Sequence, residues 1–186
     1  SSFQLNNEFT SSDDAPKSLQ FRIKTPGIPT SSFYQNVWVG DTTRAYIILD
    51  YTGSGMGSGS YSGSVPSQSN AYGTLKFYPE GSIGLAAGRS ASVTLPFFNG
   101  DWWSVQASFD YDNSLSASLY AANRIGEEIG FSASDSTVVV DDQYWKDTSI
   151  SQFPSRSVMV LDSVDYQPLT GALQEVRYWD VVLSES

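Results

Sequence analysis

Two groups of residues in this chain have types and spacings that could do chemistry. The first is its carboxylates. Glycosidic bond cleavage needs two carboxyls about 5–10 Å apart, a distance that alternate residues on one strand supply. Three arrangements come near it. Glu127 and Glu128 are adjacent and would point apart on a strand, and Asp110 and Asp112 share a face but sit at a hairpin end. Glu175 is followed two residues later by Arg177 and reads as a surface ion pair. Loop carboxylates in DYDN (110–113) and VDDQYWKD (140–147) could serve calcium, which takes six to eight oxygens, but they lack the spacing of a calcium loop. Solvated acidic turns and no cofactor are the expectation, with calcium as the alternative. The chain has no Cys and no His. That excludes disulfides, thiol nucleophiles, thiolate or imidazole zinc sites and serine-histidine triads within it.

The second group is aromatic. In FFNGDWWSV (97–105) an Asn-Gly-Asp turn leads into two adjacent tryptophans. Successive strand residues face opposite ways, so Trp103 continues the apolar row Val105, Ala107 and Phe109, while Trp102 heads the polar row Ser104, Gln106, Ser108 and Asp110. Across a following hairpin that polar row meets Ser116, Ser118 and Tyr120, with Arg124 at the end beside Trp102. Trp102, Tyr120, Gln106 and Arg124 would then share one face and offer a stacking surface, a phenol, an amide and a guanidinium, a set suited to sugar rings and hydroxyls. Tyr144 and Trp145 are loop aromatics that could join them. A bulge after the Asn-Gly turn would instead tuck both indoles inside, and a covering loop would hide Trp102.

These side chains must be held by strands. Alternation dominates in SLQFRIKT (18–25), VWVG (37–40), RAYIILDYT (44–52), GTLKFYP (73–79), SIGLAA (82–87), SVTLPF (92–97), DWWSVQASFDY (101–111), SLSASLYAA (114–122), STVVVD (136–141), RSVMVLDS (156–163) and GALQEVRYWD (171–180). Many short strands between Gly, Pro, Ser and Asn predict an all-β sandwich or barrel, and the helix-poor sandwich is the expectation. Two hairpins can be placed in register. A turn at Pro79–Gly81 would set Phe77 opposite Ile83 and Leu75 opposite Leu85; a turn at Asp112–Ser114 would pair Phe109 with Ala117, Ala107 with Leu119 and Val105 with Ala121. The stretch 52–70 is too rich in Gly and Ser to build a core and reads as a flexible insertion or as a binding loop carrying Tyr61.

At 186 residues and 40% hydrophobic the chain can bury a substantial core as one domain, 1–186. Ten basic against twenty acidic residues give a net charge of -10, which argues against nucleic acid and anionic membrane surfaces as partners. No apolar run is long enough to span a membrane. The missing initial Met suggests a processed chain or a segment of a longer protein.

The ending GALQEVRYWDVVLSES (171–186) resembles the terminal signature of laminin G-like and pentraxin-like domains, carried here by Gly171, Leu173, Glu175, Val176, Arg177, Tyr178, Trp179, Leu183 and Ser184. NGDWWSV resembles the central motif of the same family through Asn99, Gly100, Trp102 and Val105, with Trp103 where His is usual. The resemblance implies a concanavalin A-like jelly-roll β-sandwich of two antiparallel sheets, with the strands near Phe21 and Val176 side by side and the Trp at position 102 packed inward. Hydrolases of that fold resemble the pattern Glu-x-Asp-x-x-Glu, which is absent. The expectation is therefore a non-catalytic extracellular, cell-surface or virion module. It would bind a glycan or other surface ligand through the Trp102 face; the alternative is a structural or decoration module packed against neighbouring copies or domains of a larger assembly.

Overall fold

The computed structural model describes residues 3–6, 15–29, 34–40, 45–53, 60–61, 71–80, 88–140, 150–153, 158–160 and 164–184. These residues contain strands and turns and no helix. The strands are β1 (Phe3–Asn6), β2 (Ser18–Lys24), β3 (Tyr34–Gly40), β4 (Ala45–Gly53), β5 (Ser60–Tyr61), β6 (Tyr72–Tyr78), β7 (Ala91–Leu95), β8 (Trp102–Asp110), β9 (Ser116–Ile125), β10 (Glu128–Val138), β11 (Ile150–Phe153), β12 (Val158–Val160), β13 (Val164–Pro168) and β14 (Ala172–Trp179). They form a jelly-roll β-sandwich. One sheet runs β1-β11-β3-β4-β6-β7, with β13 lying parallel to β3 and carrying β12; the other runs β14-β2-β8-β9-β10-β5.

The sheets meet through the apolar rows that alternation predicts. Leu19, Phe21 and Ile23 of β2, Trp103, Val105, Ala107 and Phe109 of β8, and Ala117, Leu119 and Ala121 of β9 face Val37 and Trp38 of β3, Ala45, Ile47 and Leu49 of β4, Leu75 and Phe77 of β6, and Ala91, Val93 and Leu95 of β7. Small side chains on β9 leave room for aromatics: Trp103 packs on Phe97 with centroids 4.8 Å apart, and Phe21 meets Phe153 edge-on at 5.3 Å. Close packing of this kind leaves little freedom to change volume. Trp38 Nε1 also donates to the Tyr178 hydroxyl at 3.1 Å, joining β3 to β14 across the sandwich.

The strands near Phe21 and Val176 lie side by side, as expected, while the first strand, β1, pairs with β11 in the other sheet. β14 pairs antiparallel with β2, setting Leu173 opposite Ile23 and Arg177 opposite Gln20. The β8–β9 register is also the expected one, with Val105↔Ala121, Ala107↔Leu119 and Phe109↔Ala117. Its ladder stops at Asp110↔Ser116, so the turn spans 111–115, and the Asp110 carboxylate caps it by accepting from Asn113 Nδ2 at 2.9 Å.

The other expected hairpin does not form. β6 is bonded to β4 along one edge and to β7 along the other, so Phe77 lies opposite Ile47 and Ala91, and Leu75 opposite Leu49 and Val93. Ile83 and Leu85 are therefore not their ladder partners. Ala91, Val93 and Leu95 repeat the apolar alternation of 82–87, and alternation alone cannot tell the two stretches apart. Residues 81–87 lie outside the described residues. Within the Gly/Ser-rich stretch, Ser60 and Tyr61 form β5 on the edge of the second sheet, opposite Ser132 and Phe131; its other residues, apart from 52–53 at the end of β4, lie outside the described ones.

The two outer faces differ. On β4 both rows are buried, Tyr46, Ile48 and Asp50 as well as Ala45, Ile47 and Leu49. The outer face of the second sheet is polar and accessible along β2, β8 and β9. At the edge of the first sheet, the backbone N–H of Ser92 in β7 donates to the Asp135 carboxylate of β10 at 2.8 Å, closing one side of the sandwich.

Candidate functional site

The accessible face of the second sheet holds the candidate site, and the Asn-Gly-Asp turn sets its upper end. Gly100 adopts φ 82°, a conformation glycine takes without steric cost. Asn99 Oδ1 accepts from Asp101 N at 2.9 Å and from Trp103 Nε1 at 3.2 Å, while Asp101 Oδ2 accepts from Asn99 Nδ2 at 2.7 Å and Asn123 Nδ2 at 3.3 Å. Asn123 Oδ1 in turn accepts from Phe131 N at 2.8 Å, taking up an N–H within the bulged stretch of the β9–β10 ladder between Ile129 and Ser132. The turn is thus tied to β8, β9 and β10, and it fixes the direction in which β8 starts.

From there β8 runs without a bulge against β2, from Lys24↔Trp102 to Ser18↔Ser108. Unbroken alternation buries Trp103 completely and leaves Trp102 half-buried on the outer face. This corrects the inward Trp102 that the family resemblance implies: a bulge is needed to bring both indoles inside, and the ladder has none. The Arg22 guanidinium lies over the Trp102 ring, 5.5 Å from its centroid, and one indole face is committed to that contact.

Two adjoining depressions mark this face. One, of ≈ 320 Å³, is lined by Gln20, Arg22, Ser104, Gln106, Tyr120, Glu175, Arg177, Leu183 and Ser184, with Phe21 and Val105 contributing from the strands beneath. The other, of ≈ 520 Å³, is lined by Arg22, Lys24, Gly100, Asp101, Trp102, Ser104, Arg124 and Glu175. They share Arg22, Ser104 and Glu175, so together they form one groove running along β2 and β8. The C-terminal segment closes its lower end. Ser18 Oγ donates to Val181 O at 2.8 Å and accepts from Leu183 N at 3.0 Å, and Gln106 Nε2 donates to Leu183 O at 3.0 Å.

The expected site residues are distributed as follows. Trp102 and Arg124 line the upper depression, and Gln106 and Tyr120 line the lower, opposite each other on β8 and β9. The Gln106 amide is largely engaged, since its Oε1 also accepts from Gln20 Nε2 at 2.9 Å. Tyr144 and Trp145 lie outside the described residues. Sequence reasoning missed Arg22, Lys24, Glu175, Arg177, Asp101 and Asn123. Alternation in SLQFRIK does put Gln20, Arg22 and Lys24 on one row, but nothing local says that this row lies beside Trp102.

Glu175 enters the groove through an irregularity in β14. It takes φ 54° within a bulge between Gln174 and Arg177. Its carboxylate meets Arg22 at 3.4 Å and Arg177 at 3.8 Å, the second being the ion pair expected from their spacing. Half-exposed pairs at these distances add little stability but do fix the side chains' directions.

Of the other carboxylates singled out in the sequence, two are engaged locally. Asp110 caps its turn, and Asp112 pairs with Lys17, whose pKa is raised chiefly by the hydrogen bond to Asp112. Glu127 and Glu128 are exposed at the β9–β10 turn. Among the described residues no three carboxylates converge as a metal site would require.

No family model and no curated protein matches this chain. Solved structures do. The Ruminococcus gnavus IT-sialidase CBM40, a carbohydrate-binding module, is 11% identical over 100% of this chain and 88% of its own, with a TM-score of 0.52. A heptameric SAP-like pentraxin from Limulus polyphemus is 11% identical over 92% of this chain and 67% of its own, with a TM-score of 0.44. At this identity the first likeness speaks for the fold alone: the two chains share a jelly-roll β-sandwich.

Proposed function

We propose that this chain is a non-catalytic glycan-binding module of the laminin G-like kind, whose site is the groove along β2 and β8. One observation carries the reading. An indole stands half-exposed on a polar sheet face, inside a groove, among side chains that can donate to hydroxyls: Ser104, Lys24 and Arg124 near it and Tyr120 farther along. Sugars present apolar C–H faces and a rim of hydroxyls, and an aromatic ring with hydrogen-bonding neighbours answers both. The carbohydrate-binding module of similar fold supports this reading. An extracellular, cell-surface or virion setting suits such a module, with a glycan or another surface molecule as partner.

Trp102→Ala tests it. The ring is half outside the core, so the melting temperature should stay within a few degrees of wild type, while saccharide binding on a glycan array and by calorimetry should be lost. Retained binding would remove the groove from the reading. Loss of stability together with an absence of any saccharide ligand would favour the structural alternative, in which this face packs against a neighbouring domain.

No turnover is expected either. Incubation with neutral and acidic polysaccharides should release no reducing ends, because the two carboxylates that line the groove are held by other side chains, Asp101 by Asn99 and Asn123 and Glu175 by Arg22 and Arg177. Release of reducing ends that Glu175→Gln or Asp101→Asn abolishes would make the site catalytic.

A further inference from the structure

Alternation puts Ser18 and Ser108 on the outer face of the second sheet, in the rows of Gln20 and Gln106, and the ladder sets them opposite each other. Yet they are only 0% and 1% exposed. What meets them there is the segment that follows β14. The Ser18 hydroxyl is fully used: its proton goes to Val181 O at 2.8 Å, so it accepts from Leu183 N at 3.0 Å and from the Ser108 hydroxyl at 2.9 Å. Gln106 Nε2 adds a bond to Leu183 O. The β14–β2 ladder ends at Trp179↔Ser18, and past it these side chains hold the segment. The hold is narrow. Val181, Val182 and Ser184 are exposed, and only Leu183 is half-buried, where it lines the lower depression. A segment with so few buried apolar contacts opens at a small fraction of the cost of global unfolding.

We propose that residues 181–184 are a displaceable strap, and that Ser18 and Ser108 beneath it are further ligand-contacting residues, which a saccharide chain long enough to pass Gln106 reaches by lifting the strap. This rests on the glycan-binding reading above. The face is prepared for the exchange. Two hydroxyls and an amide that now serve the strap, directly or through each other, offer the donors and acceptors that sugar hydroxyls use, so displacement trades one set of hydrogen bonds for another. Lifting the strap also takes Leu183 and Ser184 out of the lower depression. The groove then runs along β8 from Trp102 to Ser108, about 20 Å of strand.

The test has two arms. The chain has no Cys, so Ser108→Cys puts a single thiol beneath the strap. Its rate of alkylation by iodoacetamide is measured alone and with Ser18→Ala or Leu183→Gly added, and the melting temperature of each variant is recorded. The thiol should react far more slowly than an exposed one. Ser18→Ala and Leu183→Gly should each speed it on the order of ten- to a hundredfold, the size expected for losing a hydroxyl that holds two backbone groups, with melting temperatures within a few degrees of each other. A thiol that reacts like an exposed one without either change, or that neither change speeds, would overturn the strap. Speeding that only follows a fall in melting temperature would place the opening in global unfolding and overturn it too. In the second arm, wild type and Leu183→Gly are compared on an array carrying neutral and acidic oligosaccharides as series of increasing length. Leu183→Gly should bind the longer members more tightly by a similar factor, because they no longer spend affinity on opening, and the shorter members as wild type does. An equal gain at every length, or no gain where binding occurs, would overturn the ligand contacts of Ser18 and Ser108. Absence of binding at every length would overturn the glycan reading, while the alkylation rates still decide the strap.

Discussion

Trp103→Ala should lower the unfolding free energy by about 3–5 kcal/mol, as removal of a large buried aromatic does. Trp103 has no exposed surface, packs on Phe97 and Phe131, and donates from Nε1 to Asn99 Oδ1. The substitution therefore empties the space between the sheets and leaves the Asn99 carbonyl short of a donor. Against a total stability of about 5–15 kcal/mol the loss approaches the threshold of folding. Urea denaturation followed by far-ultraviolet circular dichroism measures it. The neighbouring Trp102→Ala provides the contrast, since one position along the strand the same change should be nearly neutral. Equal costs at the two positions would contradict the alternation that places one ring inside and the other in the groove.

Gly171→Ala should be still more disruptive for its size. Gly171 adopts φ 149°, and a β-carbon there would lie 2.0 Å from the backbone oxygen of Lys24. Neither backbone can yield without breaking the pairing that follows at Ala172↔Lys24 and Leu173↔Ile23. A cost of roughly 2–4 kcal/mol is expected from overpacking and backbone strain together. Its functional trace should be as clear as the thermal one. β14 carries Glu175 and Arg177, so displacing it opens the wall of the groove and frees Arg22 from its carboxylate. A variant with wild-type melting temperature and intact saccharide binding would show that the approach of Gly171 to Lys24 is not needed.

What the sequence revealed and what it concealed divide by distance along the chain. The β8–β9 hairpin was legible because a single turn and two alternating rows leave one register that keeps Val105, Ala107 and Phe109 inside. The sides taken by Trp102 and Trp103 followed from the same rows. The β6 pairing was not legible, because 82–87 and β7 have the same alternation and only the whole sheet decides between them. β10 was seen only at its end: its first eight residues, EIGFSASD, contain Gly130 and a bulge, which break the period-two pattern. At Gly130 a β-carbon would lie 2.5 Å from the exposed Ile125 side chain, which would have to shift to admit one. The basic side of the groove was hidden for a similar reason. Arg22 and Lys24 come beside Trp102 through a ladder joining residues about eighty positions apart, and Glu175 through a strand at the far end of the chain.

The Asp135 carboxylate on the backbone of β7 has a consequence for how copies of this protein behave together. β7 is the last strand of its sheet, and an open strand edge invites another chain to add on. Asp135 occupies the Ser92 N–H and sets a negative charge beside the edge where a foreign strand would have to dock. An incoming backbone would need to displace that carboxylate and accept its charge nearby. Strand addition between crowded copies is therefore disfavoured at this point of the edge.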